Sequence, residues 1–178
     1  LQYIDDTIIW RNTVEEVFEK GKKIVQILLK AGFAMKQRKV KGPAQEIQVL
    51  GIKWKDGHCQ ILMDVINKIA AMSPPTSKKE TQAFLGGVAF WRMHIPNYSL
   101  IVSPLYQVTR KKNGFKWDPE QQDFEKIKWE TVHAIALGPV RAGQDVKNVL
   151  YITVRENGPT WRLWQKAPGD TRGQPLGF

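Results

Sequence analysis

The sequence is poor in cysteine, in acidic residues and in long apolar runs. Its single cysteine, Cys59, excludes an internal disulfide and a cysteine-based zinc site. The three histidines, His58, His94 and His133, lack metal-ligand spacing. No apolar run approaches the ~18 residues of a membrane span and no signal peptide opens the chain. We therefore expect an intracellular protein with no membrane partner.

The charge balance is strongly basic. Lys and Arg number 27 against 17 Asp and Glu, a formal net charge of +10 at pH 7, and the excess is spread along the chain. An extended polyanion, such as a nucleic acid, is the natural partner of such a surface. A soluble basic protein without that partner is the alternative on charge alone. Hydrophobic residues make up 42% of the chain, which is enough for a folded core.

Two adjacent carboxylates near the start of the chain form the most distinctive site candidate. Asp5 and Asp6 lie between the apolar stretches 1–4 and 7–10, a pattern that predicts a strand, a tight turn and a second strand. Close carboxylates repel each other unless a cation lies between them. Mg²⁺ suits such a pair, because it takes one or two carboxylates together with substrate phosphates. A solvated hairpin tip is the alternative.

The next 70 residues predict a helix, a hairpin and, over 65–72, either a short helix or an irregular link. Thr13 begins a capping box ahead of a helix over 14–31, and a basic stretch follows at 33–41. The pattern then predicts a strand over 46–55, a turn and a return strand over 59–63. Ser73-Pro74-Pro75 is the clearest joint in the chain.

Three helices are predicted beyond that joint. Ser77 and Glu80 form a capping box for the first, which carries Gly86-Gly87 in its middle, where each glycine costs roughly 1 kcal/mol. Close approach by a ligand or another backbone would explain these glycines, and so would tight helix packing. A second helix spans 99–109, and Asp118 caps a third. Strands at 147–155 and 160–165 around an Asn157-Gly158 turn end the pattern.

The order of these motifs resembles that of retroviral and endogenous retroviral Pol reverse transcriptases of the gammaretrovirus-like kind. Tyr3-Ile4-Asp5-Asp6 resembles their Y-x-D-D motif, and Leu50-Gly51-Ile52 resembles the primer-grip hairpin. The thumb-like pattern follows as Phe84-Leu85-Gly86, Phe90, Arg92, Ile95-Pro96, Pro104-Leu105-Tyr106 and Phe115-Lys116-Trp117. Residues 153–178 resemble the first strands of the connection region, which has a degenerate ribonuclease H-like fold.

For the catalytic hairpin, the resemblance implies metal-dependent chemistry. Asp5 and Asp6 would be two of three carboxylates that hold two Mg²⁺ ions for nucleotidyl transfer. Tyr3 would lie near the primer terminus. The third carboxylate lies upstream in the family, on a strand that this sequence does not contain.

For nucleic-acid contacts, the resemblance implies two further groups of residues. Leu50 and Gly51 would hold the primer strand, and Gln82, Gly86 and Phe90 on the thumb helix would face the minor groove of the duplex. Another basic residue would meet the incoming triphosphate, and the sequence does not choose among Lys36, Arg38 and Lys39.

The expected fold class is α+β. The resemblance implies the carboxyl part of a polymerase palm over 1–72, a three-helix thumb over 73–138 and the start of a ribonuclease H-like connection domain over 139–178. Because the chain begins inside an apparent strand and ends on an apolar residue, we expect a piece of a longer Pol chain.

The expected function is that of an RNA-directed DNA polymerase fragment, inactive as this piece alone. Its partners would be an RNA/DNA template–primer duplex, the rest of the Pol chain and, in the intact enzyme, deoxynucleoside triphosphates. The parent would act in the cytoplasm or the virion core. The alternative is a non-catalytic basic module that binds nucleic acid, or a relic of an endogenous retrovirus.

Overall fold

The computed structural model describes residues 2–3, 6–11, 13–111, 114–115, 117, 121–155 and 158–178. The chain divides into two compact units, residues 1–45 and residues 46–178. The finer division into palm, thumb and connection, with boundaries after residues 72 and 138, stays a prediction.

The first unit is built around one long helix. Its elements are β1 (Gln2–Tyr3), β2 (Asp6–Thr7), α1 (Val14–Lys30) and a 3₁₀ turn at Gln37–Lys39. The Thr13 hydroxyl caps α1 by accepting a hydrogen bond from the Glu16 N–H at 3.2 Å. Glu15 and Glu16 lie in the first turn, where the helix dipole favours negative charge. The helix predicted over 14–31 is therefore confirmed, one residue shorter than expected.

Among its described residues, the second unit combines four α-helices with two antiparallel sheets, so the α+β class is confirmed. Its sheets have the strand orders β3-β4-β5 and β6-β7-β8. Its elements are β3 (Glu46–Val49), β4 (Ile52–Lys55), β5 (His58–Ile61), α2 (Met63–Ala70), α3 (Lys78–Ala89), a 3₁₀ turn at Arg92–His94, α4 (Tyr98–Thr109), α5 (Gln121–Val132), β6 (Lys147–Arg155), β7 (Gly158–Lys166) and β8 (Gln174–Gly177).

The core of this unit lies among its helices. α4 packs against both α3 and α5, and α2 packs against α5. The most deeply buried apolar side chains are 0–1% exposed and come from α3, α4, α5 and the loop after the Arg92–His94 turn: Leu85, Val88, Ile95, Leu105, Phe124 and Ile127. Burying a side chain of this size stabilises the folded state by about 1.5–3 kcal/mol. None of the described helices is long and apolar enough to cross a membrane.

The start of α3 is fixed by side-chain caps. The Ser77 hydroxyl accepts a hydrogen bond from the Glu80 N–H at 3.3 Å, as predicted. The Glu80 carboxylate reaches one residue further back than a standard capping box, and accepts from the N–H of Thr76 at 2.7 Å and from its hydroxyl at 2.9 Å. These two bonds lower the pKa of Glu80 below its ordinary value. The position of the helix start is thus set locally.

An extended segment after α5 ties the two sheets together. Leu137 exchanges two backbone hydrogen bonds with Cys59 at the end of the first sheet, both 3.0 Å long. The next residue, Gly138, donates its N–H to the Pro175 carbonyl of β8 at 2.8 Å. This crossing fixes the sheet of β6–β8 relative to that of β3–β5 within the second unit.

One strand prediction was wrong. The stretch 46–55 was expected to be a single strand, but it forms two, β3 and β4, joined by a turn at Leu50-Gly51. The return strand ends at Ile61, two residues earlier than expected, because Met63 begins α2. The hairpin of β6 and β7 is confirmed, but Gly158, which was expected in the turn, begins β7 and pairs with Arg155. The predicted cap at Asp118 lies outside the described residues.

The buried His94 makes the fold sensitive to acid. It is 4% exposed, and its Nδ1 lies 2.9 Å from the Ile135 carbonyl, to which it donates. Burial lowers the pKa of His94. Its folded pKa is therefore below its unfolded pKa of about 6.5. Neutral His94 therefore contributes fully to the free energy of unfolding above the unfolded pKa, and this contribution is lost as pH falls through the folded pKa.

We predict that the free energy of unfolding of His94→Gln depends less on pH than that of the native chain. Denaturant unfolding at pH 7.5 and pH 5.5 measures this, and the two proteins should converge at the lower pH. His58→Gln, which replaces an exposed histidine, is the control and should follow the native curve. If the free energy of unfolding falls by the same amount for His94→Gln and for the native chain between pH 7.5 and pH 5.5, the prediction is contradicted.

Candidate nucleic-acid interface

One side of α3 is exposed along its whole length. Lys79, Gln82 and Gly86 recur at intervals of three or four residues, which places them on one face, and Phe90 caps the same face. All four residues are exposed, and the Phe90 side chain is 46% exposed. The opposite side of α3 is buried in the core. The structure therefore brings the three predicted thumb residues, Gln82, Gly86 and Phe90, onto one open surface.

The glycines in the middle of α3 are not explained by packing. A Cβ added at Gly86 or at Gly87 would meet no atom outside the helix's own backbone within 4 Å. Tight helix packing, which was one of the two explanations for this pair, is thus absent at both positions. Glycine in a helix interior costs roughly 1 kcal/mol relative to alanine. The bare backbone at Gly86 forms a shallow, accessible stretch between Gln82 and Phe90.

The Leu50-Gly51 pair forms a tight hairpin turn of a demanding type. Val49 pairs with Ile52, so the connection has two residues, with φ of 54° at Leu50 and 75° at Gly51. Positive φ at both positions defines a type I′ turn, which normally takes Asn-Gly or Asp-Gly. Asp56-Gly57, with φ of 50° and 78°, follows that rule in the next hairpin. Leucine at the first position is under strain of about 1–2 kcal/mol, because its Cβ approaches the following carbonyl oxygen.

Trp91 packs directly against this turn. The side chain is 7% exposed, and a Cβ added at Gly51 would lie 2.7 Å from Trp91 Cη2 and 3.1 Å from Trp91 Cζ2. The Phe90 ring meets the Trp91 ring edge-on, with 4.5 Å between centroids. The turn thus lies at the carboxyl end of the exposed α3 face. The sequence carried no signal of the contact between Trp91 and Gly51, because the two residues are 40 positions apart.

Basic side chains lie at both ends of the α3 face. Lys79 is exposed at its start, and Arg92 is exposed just beyond its end, with its guanidinium donating to the Ala89 carbonyl at 3.2 Å. Lys53 on β4 is instead paired with Glu46 at 2.8 Å, and its hydrogen bond lowers the pKa of that carboxyl. Lys79 and Arg92 thus flank the face, while Gln82 and Gly86 at its centre are uncharged.

The predicted catalytic hairpin is described only in part. Tyr3 pairs with Asp6, which begins β2, while Asp5 lies outside the described residues. Among the residues that the structure describes, no three His, Cys, Asp or Glu side chains come close enough together to hold a metal ion. Two carboxylates fit Mg²⁺ only with substrate phosphates completing the ligand set.

The three candidate triphosphate ligands lie together in the first unit. Lys36 precedes the 3₁₀ turn that contains Arg38 and Lys39, and its carbonyl accepts the Lys39 N–H at 2.8 Å. All three side chains are exposed. The geometry does not single out one of them, so the choice stays open.

Comparison with known sequences identifies relatives among retroviral polyproteins. The chain is 32% identical over 139 residues to the Gag-Pol polyprotein of feline leukemia virus, an alignment that covers 78% of this chain and 8% of the relative. It is 36% identical over 114 residues to the Pro-Pol polyprotein of simian foamy virus type 1, covering 63% of this chain and 10% of that protein. No protein-family model matches the chain.

Comparison with solved structures also finds retroviral proteins. The foamy viral protease-reverse transcriptase in complex with dsDNA matches at 25% identity with a TM-score of 0.69, over 93% of this chain and 35% of that chain. Its dRH form with ds DNA matches at 26% identity with a TM-score of 0.72, over 94% of this chain and 29% of that chain.

The fold and the sequence kinship together define a reverse-transcriptase class of protein. Within that class, the chain belongs to the retroviral Pol family, with relatives among gammaretroviruses and foamy viruses. Membership of this family implies dependence on a divalent metal ion in general. The chain spans about a tenth or less of the curated relatives it matches.

We predict that Leu50→Asn raises the free energy of unfolding by about 0.5–1 kcal/mol, because asparagine tolerates the left-handed conformation that leucine resists. The matched reverse change, Asp56→Leu, places leucine in the equivalent position of the second turn and should lower it by a similar amount. Denaturant unfolding of the two variants and the native chain measures both effects. Stabilisation by Asp56→Leu, or loss of stability in Leu50→Asn, would contradict the strain at Leu50.

Proposed function

We propose that the chain grips the primer–template duplex in a retroviral RNA-directed DNA polymerase and supplies two metal-binding carboxylates to its catalytic site. The observation that carries the proposal is the exposed α3 face, on which Gly86 leaves bare backbone between Gln82 and Phe90. The related foamy viral structures, solved as complexes with dsDNA, support a duplex as the partner.

The proposed binding mode follows from the chemistry of the face. Lys79 and Arg92 would meet phosphates on either side of a groove, which contributes sequence-independent and salt-dependent affinity. Gln82 offers an amide donor and acceptor to base edges, and the minor groove presents acceptors at every base pair. The missing side chain at Gly86 lets the sugar and backbone of the nucleic acid come close. Binding of this kind would depend on the shape of the duplex more than on its sequence.

The proposed chemistry resides in the first unit. Asp5 and Asp6 would hold divalent metal, and one of the basic residues around the 37–39 turn would neutralise the triphosphate of an incoming deoxynucleotide. Two Mg²⁺ ions, when bound, would supply charge stabilisation for the attacking 3′-oxygen and the leaving pyrophosphate. Tyr3, paired with Asp6, would lie beside the primer terminus. Catalysis would need a third carboxylate from elsewhere in the polymerase, so the 178 residues alone are proposed to bind and not to polymerise.

A second candidate function is a non-catalytic module that binds duplex nucleic acid. The exposed α3 face supports this candidate by itself, because a duplex contact there needs no carboxylate. The two candidates share the α3 face and differ only in whether the carboxylates matter, so two experiments separate them.

For the duplex interface, we predict that Gly86→Trp weakens binding of a primer–template duplex about tenfold or more, equivalent to about 1.4 kcal/mol. Gly87→Trp is the matched control: it makes the same change one residue further on, about 100° around the helix axis, at a second position with open space. Fluorescence anisotropy measures affinity, and thermal unfolding should show similar stability for both variants. Equal affinity of the two variants would contradict the proposed face.

For the chemistry, we predict that Asp5→Asn in a polymerase carrying this segment lowers primer extension at least 10²-fold, because even a small misplacement of the reacting atoms costs that much. Duplex affinity should stay unchanged, since Asp5 is proposed to act on metal and not on the duplex. Extension assays with Mg²⁺ and anisotropy measure the two properties. Normal extension by Asp5→Asn would favour the non-catalytic candidate.

A further inference from the structure

Leu50 is an exposed leucine held in a backbone conformation that leucine avoids. Its φ is 54°, its side chain is 40% exposed, and its position at a two-residue turn matches the part of the chain proposed to hold the primer. Local sequence preference does not explain why the turn keeps this conformation, because the favoured residues there are Asn and Asp. Contacts from residues outside the turn must therefore stabilise its conformation.

Three contacts hold the turn from outside. The Trp91 ring occupies the space beside Gly51, with Cη2 only 2.7 Å from the place where a Cβ would stand, so no residue larger than glycine fits without a shift. The Gly51 carbonyl accepts a hydrogen bond from the Leu62 N–H at 3.0 Å. Val65 adds a further contact, 3.5 Å from the same Cβ position. The turn is thus fixed to the helical core on its Gly51 side, and Leu50 is left projecting into solvent.

We propose that Trp91 is a positioning residue that holds the Leu50-Gly51 turn in register with the α3 face for contact with the primer strand. The proposal rests on the proposed duplex-binding function. Trp91 directly follows Phe90, so one short stretch of chain sets both the end of the groove-facing surface and the location of the turn. If the ring is trimmed, the turn populates other conformations, and the apparent affinity falls in proportion to the fraction of molecules that keep the binding-competent conformation.

The test compares Trp91→Phe with Val88→Ala in the full 178-residue chain. Trp91→Phe keeps an aromatic ring but removes the outer atoms that reach Gly51. Val88→Ala trims a side chain of α3 that is 1% exposed and that is not among the atoms nearest to the Gly51 Cβ position. Both changes lower the unfolding midpoint, so stability alone does not distinguish them. Affinity for a primer–template duplex and hydrogen exchange at the Leu62 amide are measured below both midpoints.

Trp91→Phe is expected to bind the duplex about five- to tenfold more weakly with an unchanged salt slope, because no phosphate contact is removed. Its Leu62 amide should exchange faster than in the native chain. Val88→Ala should keep native affinity and native Leu62 exchange. If Trp91→Phe binds as tightly as the native chain, or if Val88→Ala weakens binding equally, the positioning role is overturned.

A second variant covers the case in which Trp91→Phe does not fold. Trp91→Met keeps a long apolar side chain in the core while removing the rigid ring beside Gly51, and the same two results are expected of it. Failure of the native chain to bind any duplex would overturn the proposed function, and with it the binding role of Trp91. Native binding with unaffected variants would overturn the role of Trp91 alone.

Discussion

Burial of one side of α3 is the constraint on which the rest of the second unit depends. Phe84 and Leu85 are 6% and 1% exposed and fix the rotation of the helix about its axis. Because a helix repeats every 3.6 residues, fixing the buried side also fixes which residues face outward. Gln82, Gly86 and Phe90 share an open surface for this reason. The apolar core thereby determines the candidate interface without any of its residues touching a ligand.

The same burial extends to the neighbouring turn through Trp91. The indole lies at the end of the buried side of α3 and fills the space beside Gly51, so the core reaches the Leu50-Gly51 hairpin as well. Strain at Leu50 is tolerated because the surrounding packing determines the backbone there, as is common where a chain presents backbone to a partner. A strained, exposed turn therefore lies near the carboxyl end of an open helix face that Lys79 and Arg92 flank.

The features that the sequence predicted well are local ones. The caps at Thr13 and Ser77 depend on residues three positions apart, and both helix starts agree with the structure. The hairpin of β6 and β7 was equally visible from its turn residues. The sequence pattern predicted one strand over 46–55 and did not show that the Leu50-Gly51 turn divides it into β3 and β4. Leucine is not typical of turns, and apolar residues lie on both sides of it.

The candidate site was predictable as a set of residues but not as a surface. The family resemblance implied that Gln82, Gly86 and Phe90 share a face, whereas the open space around Gly86 could only be measured in three dimensions. The Trp91–Gly51 contact joins residues far apart in the chain, and its geometry follows from how α3 packs beside the first sheet of this unit. The role of Asp5 and Asp6 rests on resemblance and kinship, because Asp5 lies outside the described residues.

The most direct measurement of the central claim is paramagnetic relaxation from a nitroxide tethered in the minor groove of a bound duplex. The account predicts the strongest broadening at the amides of Gln82, Gly86 and Leu50, and little at Trp129 on α5; strongest broadening on α5 or on the β6–β7 hairpin would contradict it.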